Sequence, residues 1–313
     1  MADVFGSGAF RFTIDTDWAK LPQGWNLHEV ADIAVDDHDR VYVFNRGDHP
    51  MIVFDRDGTV LASWGQDVFH RPHGLTFADG KLYCADDGDH TVRVCTPEGE
   101  VLITLGVPGE PSAYQSGLPF NRPTKVALGV DGALYVADGY GNAKIHKYSA
   151  DGEHLFTFGE YGCRPGQFNL VHSVCSDAEG RLYVADRENH RVQVFDADGV
   201  YVTQWNNLHR PCGLHIEGGY AYIGQLPPTL AVNADYPNLG ARVSVHDLEG
   251  NLLASVGATR PGDRAPDAFY APHGLAIDSF GDIYVGEVAY TSFGRFQNPP
   301  VVPRCLRKLV RVA

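Results

Sequence analysis

Residues 182–205, LYVADRENHRVQVFDADGVYVTQW, decide how the rest of the chain is read. An aromatic and β-branched run ends in Asp, a polar turn follows, a second alternating run enters D-x-D-G, and a third run closes the unit. Such runs bounded by Gly, Asp and Asn are strands, and the D-G step marks a hairpin. The cassette recurs as LYVADGYGNAKIHKYSADGEHLFTFG at 134–159 and LYCADDGDHTVRVCTPEGEVLITLG at 82–106. A degenerate copy, VYVFNRGDHPMIVFDRDGTVLASWG, occupies 41–65. Two more begin at 221 (AYIGQLPPTLAV, then ARVSVHDLEGNLLASVG) and 283 (IYVGEVAYTSFG, then LRKLVRV). The anchoring tyrosines are Tyr42, Tyr83, Tyr135, Tyr183, Tyr222 and Tyr284, and a period of about 40–60 residues is that of propeller blades.

Each repeat predicts four strands. Strand a is an apolar run such as HGLTF or HGLAI, strand b is LYVAD, strand c is RVQVF, and strand d follows the D-x-D-G turn. No amphipathic helix competes. The sixth repeat ends at RKLVRVA without a fourth strand, while the N-terminal FRFTIDTDW is a strand to spare. A closed ring has no free edge, so the spare strand is expected to complete the last blade. The expectation is an all-β chain in which residues 1–313 form one six-bladed β-propeller domain of NHL-type repeats, closed by its two ends. The insertion LPPTLAVNADYPNLG between strands b and c of blade five is a candidate lid or substrate wall.

Composition bounds the partners. Hydrophobic residues make up 44% and charged residues 20%, which excludes wholesale disorder. With 25 Lys and Arg against 39 Asp and Glu the net charge is −14. That acidic balance argues against nucleic acid or an anionic membrane as main partner, yet leaves room for a local basic pocket for a small anion. The start, MADVFGSGAFRF, has neither the basic nor the apolar region of a secretory leader. No apolar run approaches the roughly 20 residues of a membrane span. Six cysteines, at 84, 95, 163, 175, 212 and 305, include no CxxC. They read as free thiols in a reducing compartment, and the expected location is cytoplasmic. Only Cys84 and Cys95, which flank one predicted hairpin, look able to meet.

Counting back from each anchoring tyrosine aligns the start of strand a, the innermost strand. Blades two, four and six place His73, His172 and His273 there; blades one, three and five place Ala31, Thr124 and Cys212. A lone histidine at a strand start is usually a hydrogen-bonded loop residue. Three at one repeat position in strict alternation suggest imidazoles converging on the channel axis, the ligand set of a catalytic zinc with an open position. Residues after strand b share that mouth, because strands a and b are antiparallel. These are Arg46 in blade one, Tyr140 in blade three and Arg187 in blade four. Arginine has the fork geometry to hold a carboxylate, so the expected partner is a small anionic substrate carrying one. His90 and His190 open strand c and read as packing residues.

At these residues the chain resembles NHL-repeat propellers, through GQF and VADRENHRVQVFD. More narrowly it resembles the peptidyl-α-hydroxyglycine α-amidating lyases, also called peptidylamidoglycolate lyases. The stretch ADGYGNAKIHKYSADGEHLFTFGEYGCRPGQFNLVHS, with NRGDHP and RPHGLT, carries the likeness, which covers most of the chain and thins in blade five and after Tyr284. The resemblance implies zinc on His73, His172 and His273, Tyr140 as the base on a substrate hydroxyl, and Arg46 and Arg187 in the active site. The implied reaction cleaves a carbinolamide, R-CO-NH-CH(OH)-COO⁻, to a primary amide and glyoxylate. Departures accompany it. Gly141 and Val194 stand where family disulfides are expected, in keeping with a cytoplasmic chain. The resemblance also implies a structural calcium, with an acid after the last histidine. Gly274 stands there, and Asp32, at the matching point of blade one, is the candidate calcium ligand. A small N-acyl-α-hydroxyglycine or related hemiaminal acid fits better than a peptide hormone. Two other readings stay open: a non-enzymatic NHL-repeat binding scaffold, and a lactonase-type propeller hydrolase, a class that usually needs carboxylate and amide metal ligands.

Overall fold

In blades one and four two aspartates make the turns. In the first turn of blade four, Asp177 Oδ1 accepts the backbone N–H of Glu179 at 3.1 Å and of Arg181 at 2.8 Å, and its Oδ2 receives the Tyr183 hydroxyl at 2.9 Å. Asp36 holds Tyr42 at 3.2 Å and Asp278 holds Tyr284 at 3.1 Å in the same way. In blades one, four and six the anchoring tyrosine thus ties strand b to the turn that precedes it, whereas the Tyr135 hydroxyl donates to the Ala197 carbonyl oxygen. In the D-x-D-G turn, Asp196 Oδ1 accepts from Asp198 at 3.0 Å and Val200 at 2.9 Å, and Gly199 supplies the left-handed residue at φ +78°.

These turns fold the chain, a computed structural model describing residues 3–233, 236, 239–257 and 265–312, into antiparallel sheets in a–b–c–d order. Blade one has strands Val30–Val35, Val41–Asn45, Met51–Phe54 and Val60–Trp64. Blade two has Pro72–Ala78, Lys81–Asp86, Thr91–Cys95 and Val101–Leu105; blade three, Lys125–Leu128, Leu134–Asp138, Lys144–Tyr148 and His154–Phe158. Blade four has Val171–Ser176, Leu182–Asp186, Arg191–Phe195 and Tyr201–Trp205; blade five, Pro211–Glu217, Tyr220–Gln225, Arg242–Asp247 and Leu252–Val256. The protein is a six-bladed β-propeller. The last sheet takes Pro272–Ile277, Ile283–Glu287 and Leu306–Arg311, then the N-terminal strand Phe10–Asp15, with Phe12 paired to Arg311. A short strand, Phe5–Ser7, adds a fifth member beyond the expected four. Among the described residues helix is confined to single turns such as Ala289–Ser292. Residues 234, 235, 237 and 238 of the blade-five insertion lie outside the described residues.

Contacts gather the chain into two units, residues 67–216 and residues 1–66 with 217–313. In the first, Phe120, Val126, Val136 and Tyr148 pack with Tyr83 and Val94, and Phe168, Val174 and Val184 with Tyr135 and Ile145. In the second, Phe12, Phe269, Val285 and Leu309 form one core, and Trp18, Ile33, Phe54 and Tyr284 another. Burial of such apolar rows between sheets stabilises the blades at about 25 cal/mol per Å². None of the six cysteines, Cys84 and Cys95 included, forms a disulfide.

Candidate functional site

Strand a of the histidine blades is pinned from below by the last residue of strand b. Asp86 accepts the backbone N–H groups of His70 at 2.5 Å and Arg71 at 2.9 Å, Asp186 that of Asn169 at 2.7 Å, and Glu287 those of Tyr270 at 2.6 Å and Ala271 at 3.0 Å. Each buried acid therefore fixes the approach to His73, His172 or His273. Burial raises the pKa of all three acids, against which the hydrogen bonds they accept act in the lowering sense.

The three histidines are the second residues of their strands, and all are buried. They share one further feature. Nδ1 of His73 lies 2.7 Å from the Thr124 carbonyl oxygen, Nδ1 of His172 3.2 Å from that of Cys212, and Nδ1 of His273 2.6 Å from that of Ala31. A carbonyl only accepts, so Nδ1 carries the hydrogen and Nε2 keeps the lone pair. This is how metal-binding imidazoles are held by their surroundings. The carbonyls come from Thr124, Cys212 and Ala31, the residues that sequence alignment places at the same point of the other three blades.

In the unit of residues 67–216 the His73 and His172 rings lie 4.9 Å apart, and both Nε2 atoms reach the Tyr140 hydroxyl, at 3.0 and 3.2 Å. One O–H cannot donate to two lone pairs. Two imidazole nitrogens and a phenolic oxygen therefore face one point with a single proton among them, the chemistry of a cation site. Nitrogen donors of this kind suit zinc. Tyr140 reaches them because Gly139 lies against the next blade: a Cβ there would fall 1.6 Å from the Val171 carbonyl oxygen.

Arg187 is mostly buried and lies over the Tyr140 ring, its Cζ 5.7 Å from the centroid, while Nε donates to Glu188 at 2.7 Å. Burial lowers its pKa, but Tyr140, Cys212 and Glu188 outweigh that and hold it above the usual guanidinium value. In the other unit, Arg46 lies 3.3 Å from Glu29, whose other oxygen receives the Thr291 backbone N–H. His273 and Asp32 belong to that unit too. Asp32 is buried and accepts from the Ile33 N–H at 2.9 Å. A Cβ on Gly274 would sit 2.2 Å from Asp32 Oδ1, so the glycine is what leaves room for this carboxylate. One carboxylate is a small part of the 6–8 oxygens calcium takes, so calcium fits the residues here less well than zinc does.

Sequence reasoning passed over the residues that frame Tyr140. Arg122 has its Cζ 4.5 Å from the Tyr140 ring centroid. Arg122 and Arg71 both bind Asp87, and Arg210 binds Glu188 at 3.0 Å. Their signal was the Arg-Pro step repeated before strand a at 71–72, 122–123 and 210–211. His90 and His190 do more than pack, since their Nδ1 atoms accept the backbone N–H of Arg122 at 3.1 Å and Arg210 at 3.2 Å. His70 approaches Asp86 and Asp89, but Asp86 is engaged by backbone and Asp89 by Arg93 at 2.5 Å, which makes that cluster a structural network.

The family profile "NHL repeat" matches residues 120–148 and 168–195, in blades three and four. Human "NHL repeat-containing protein 3" is 35% identical over 69% of this chain and 67% of its own length. "Peptidyl-alpha-hydroxyglycine alpha-amidating lyase 1" of Drosophila melanogaster is 31% identical over 74% of this chain, which spans 45% of that relative. A solved streptogramin B lyase shares the fold at TM-score 0.62 and 12% identity, with 97% of this chain and 99% of that one covered. The identity and reach of the match to NHL repeat-containing protein 3 establish that the chain belongs to the NHL-repeat family.

Proposed function

We propose that the protein is a zinc-dependent carbon–nitrogen lyase that cleaves an N-acyl- or peptidyl-α-hydroxyglycine to a primary amide and glyoxylate. The observation that carries this reading is the shared Nδ1 anchoring of His73, His172 and His273, which leaves each Nε2 for a metal, together with a phenol at two of those nitrogens. The relatives named as amidating lyases support the reaction class. Zinc, held by the three histidines, supplies Lewis acidity toward the substrate oxygens.

The chain's own residues do the rest. Tyr140 takes the proton of the substrate hydroxyl, whose C–O bond becomes the aldehyde of glyoxylate. The electrons of the breaking C–N bond pass to the amide nitrogen, which takes up the proton that Tyr140 removed from the hydroxyl, so atoms and charge balance. Arg187 and Arg46 hold the carboxylate and offset the charge that develops. Asp32 is retained as a proposed calcium ligand, with no chemical step assigned to it, and a cytoplasmic location is proposed with the rest. A metal-free binding scaffold is the second reading, because the relative at 35% identity is named for its repeats alone. Metal analysis of the purified protein with a glyoxylate-release assay decides between them. Zinc with glyoxylate from an N-acyl-α-hydroxyglycine supports the lyase; a metal-free protein that releases none supports the scaffold.

A further inference from the structure

Around Tyr140 the charge runs against that of the whole chain. Arg71, Arg122, Arg187 and Arg210 are linked through contacts to Asp87, Glu188 and the phenol, so four cations meet two anions in a chain of net charge −14. Arg187 is assigned above to the α-carboxylate. Arg71 and Arg122 have no such assignment.

Their geometry is that of a preset clamp. Both guanidiniums bind the same oxygen, Asp87 Oδ2, Arg122 at 2.7 Å. Asp87 is buried, and its Oδ1 has no hydrogen-bond partner among the described residues. Two arginines thus share one carboxylate oxygen. An ion pair built for stability needs only one of them, and adds little at a half-exposed rim in any case. Among the described residues Arg122 donates side-chain hydrogen bonds only to Asp87, although a guanidinium carries five N–H groups. The side chain of Arg122 is 41% exposed, so its further donors are open to a ligand, and Arg71, 38% exposed, lies beside it on the same carboxylate oxygen. Arg122 is also held at φ +65°, uncommon for a residue with a side chain, while His90 fixes its backbone N–H. The backbone is thus constrained where this side chain enters the rim over Tyr140.

We propose that Arg71 and Arg122, gathered by Asp87, form a second anion subsite beside Tyr140, and that the acyl group of the substrate itself carries a carboxylate. The planar fork of arginine fits a carboxylate better than a point charge would. The anion subsite stands on the geometry alone; the substrate class rests on the lyase reading.

The test uses the full chain as purified and two unreactive glycines, N-succinylglycine, a dianion, and N-pentanoylglycine, a monoanion of similar length, titrated by calorimetry. The parent binds the dianion tighter by roughly tenfold, the scale of one charge-assisted hydrogen bond. Arg122→Gln and Arg71→Gln each lose that preference, keep the affinity for pentanoylglycine, and melt like the parent. Equal affinity of the parent for both glycines, or a preference that survives both substitutions, overturns the subsite. Turnover of N-succinyl-α-hydroxyglycine separates the two claims. A dianion preference without glyoxylate release leaves the subsite standing and sinks the lyase reading and the substrate class that depends on it.

Discussion

The Tyr140 hydroxyl lies 3.0 Å from Nε2 of His73, the nitrogen that keeps its lone pair while Nδ1 donates to the Thr124 carbonyl oxygen. A proposed base and a proposed metal ligand are therefore neighbours in one unit of the fold, and each can be removed separately.

Replacing His73, His172 or His273 by Ala is expected to abolish zinc binding and glyoxylate release. Each change leaves one buried carbonyl without its N–H partner, so stability falls by about 1–3 kcal/mol while the blades remain folded. Metal content per chain and circular dichroism of the same samples check this. A triple variant that keeps its zinc and its turnover would show the ligands to be misassigned.

Tyr140→Phe keeps the ring between its arginines and deletes only the oxygen. Turnover drops roughly 10²-fold or more, the contribution of a positioned base, with melting temperature and metal content as in the parent. Parent-like glyoxylate release from this variant is the outcome that sinks the assignment.

Arg187→Lys preserves charge but loses the fork that serves Glu188 and, on the proposed reading, the substrate carboxylate. It is expected to lower kcat/KM by at least about tenfold, as at other bidentate sites. Arg46→Lys behaves alike if Arg46 binds the same carboxylate. Steady-state kinetics on the α-hydroxyglycine substrate decides, and unchanged kinetics in both variants removes these arginines from the reaction.

The fold was largely legible because its turns are chemical. Asp177 and Asp196 cap backbone N–H groups through their own side chains, and Gly199 needs φ +78°, so those residue types had to appear in the sequence at those spacings. The position of His73, His172 and His273 was legible by counting along the repeat. Their shared Nδ1 bonds to the next blade were not, since a backbone carbonyl leaves no trace in residue identity. Arg122 escaped for a related reason. Its place over Tyr140 comes from a left-handed backbone and a bond to His90, neither of which an Arg-Pro step announces.

Stability should depend on pH through His215, in strand Pro211–Glu217. Its Nε2 is buried without a hydrogen-bond partner, and burial, aided by Lys125, pushes its pKa down to about 4. A depressed folded value means stability present above the unfolded pKa, near 6.5, and lost as pH falls toward 4. The loss is on the order of 2 kcal/mol. Urea unfolding at pH 7 and pH 4.5 measures it. His215→Phe should flatten that difference, and an equal pH dependence in the variant would place its origin elsewhere.

Phe12 and Arg311 stand side by side in the last sheet, almost a whole chain length apart in sequence. On the ribosome this pairing waits until Arg311 has been made and has cleared the exit tunnel. Until then the nascent chain carries strand Phe10–Asp15 without its partner, and that edge is open to other chains. Bringing such distant ends together also carries the largest loop-closure entropy in the fold. Translation arrest just before Leu306 would therefore yield a chain dependent on chaperones, while synthesis past Arg311 lets the two strands pair in one late step.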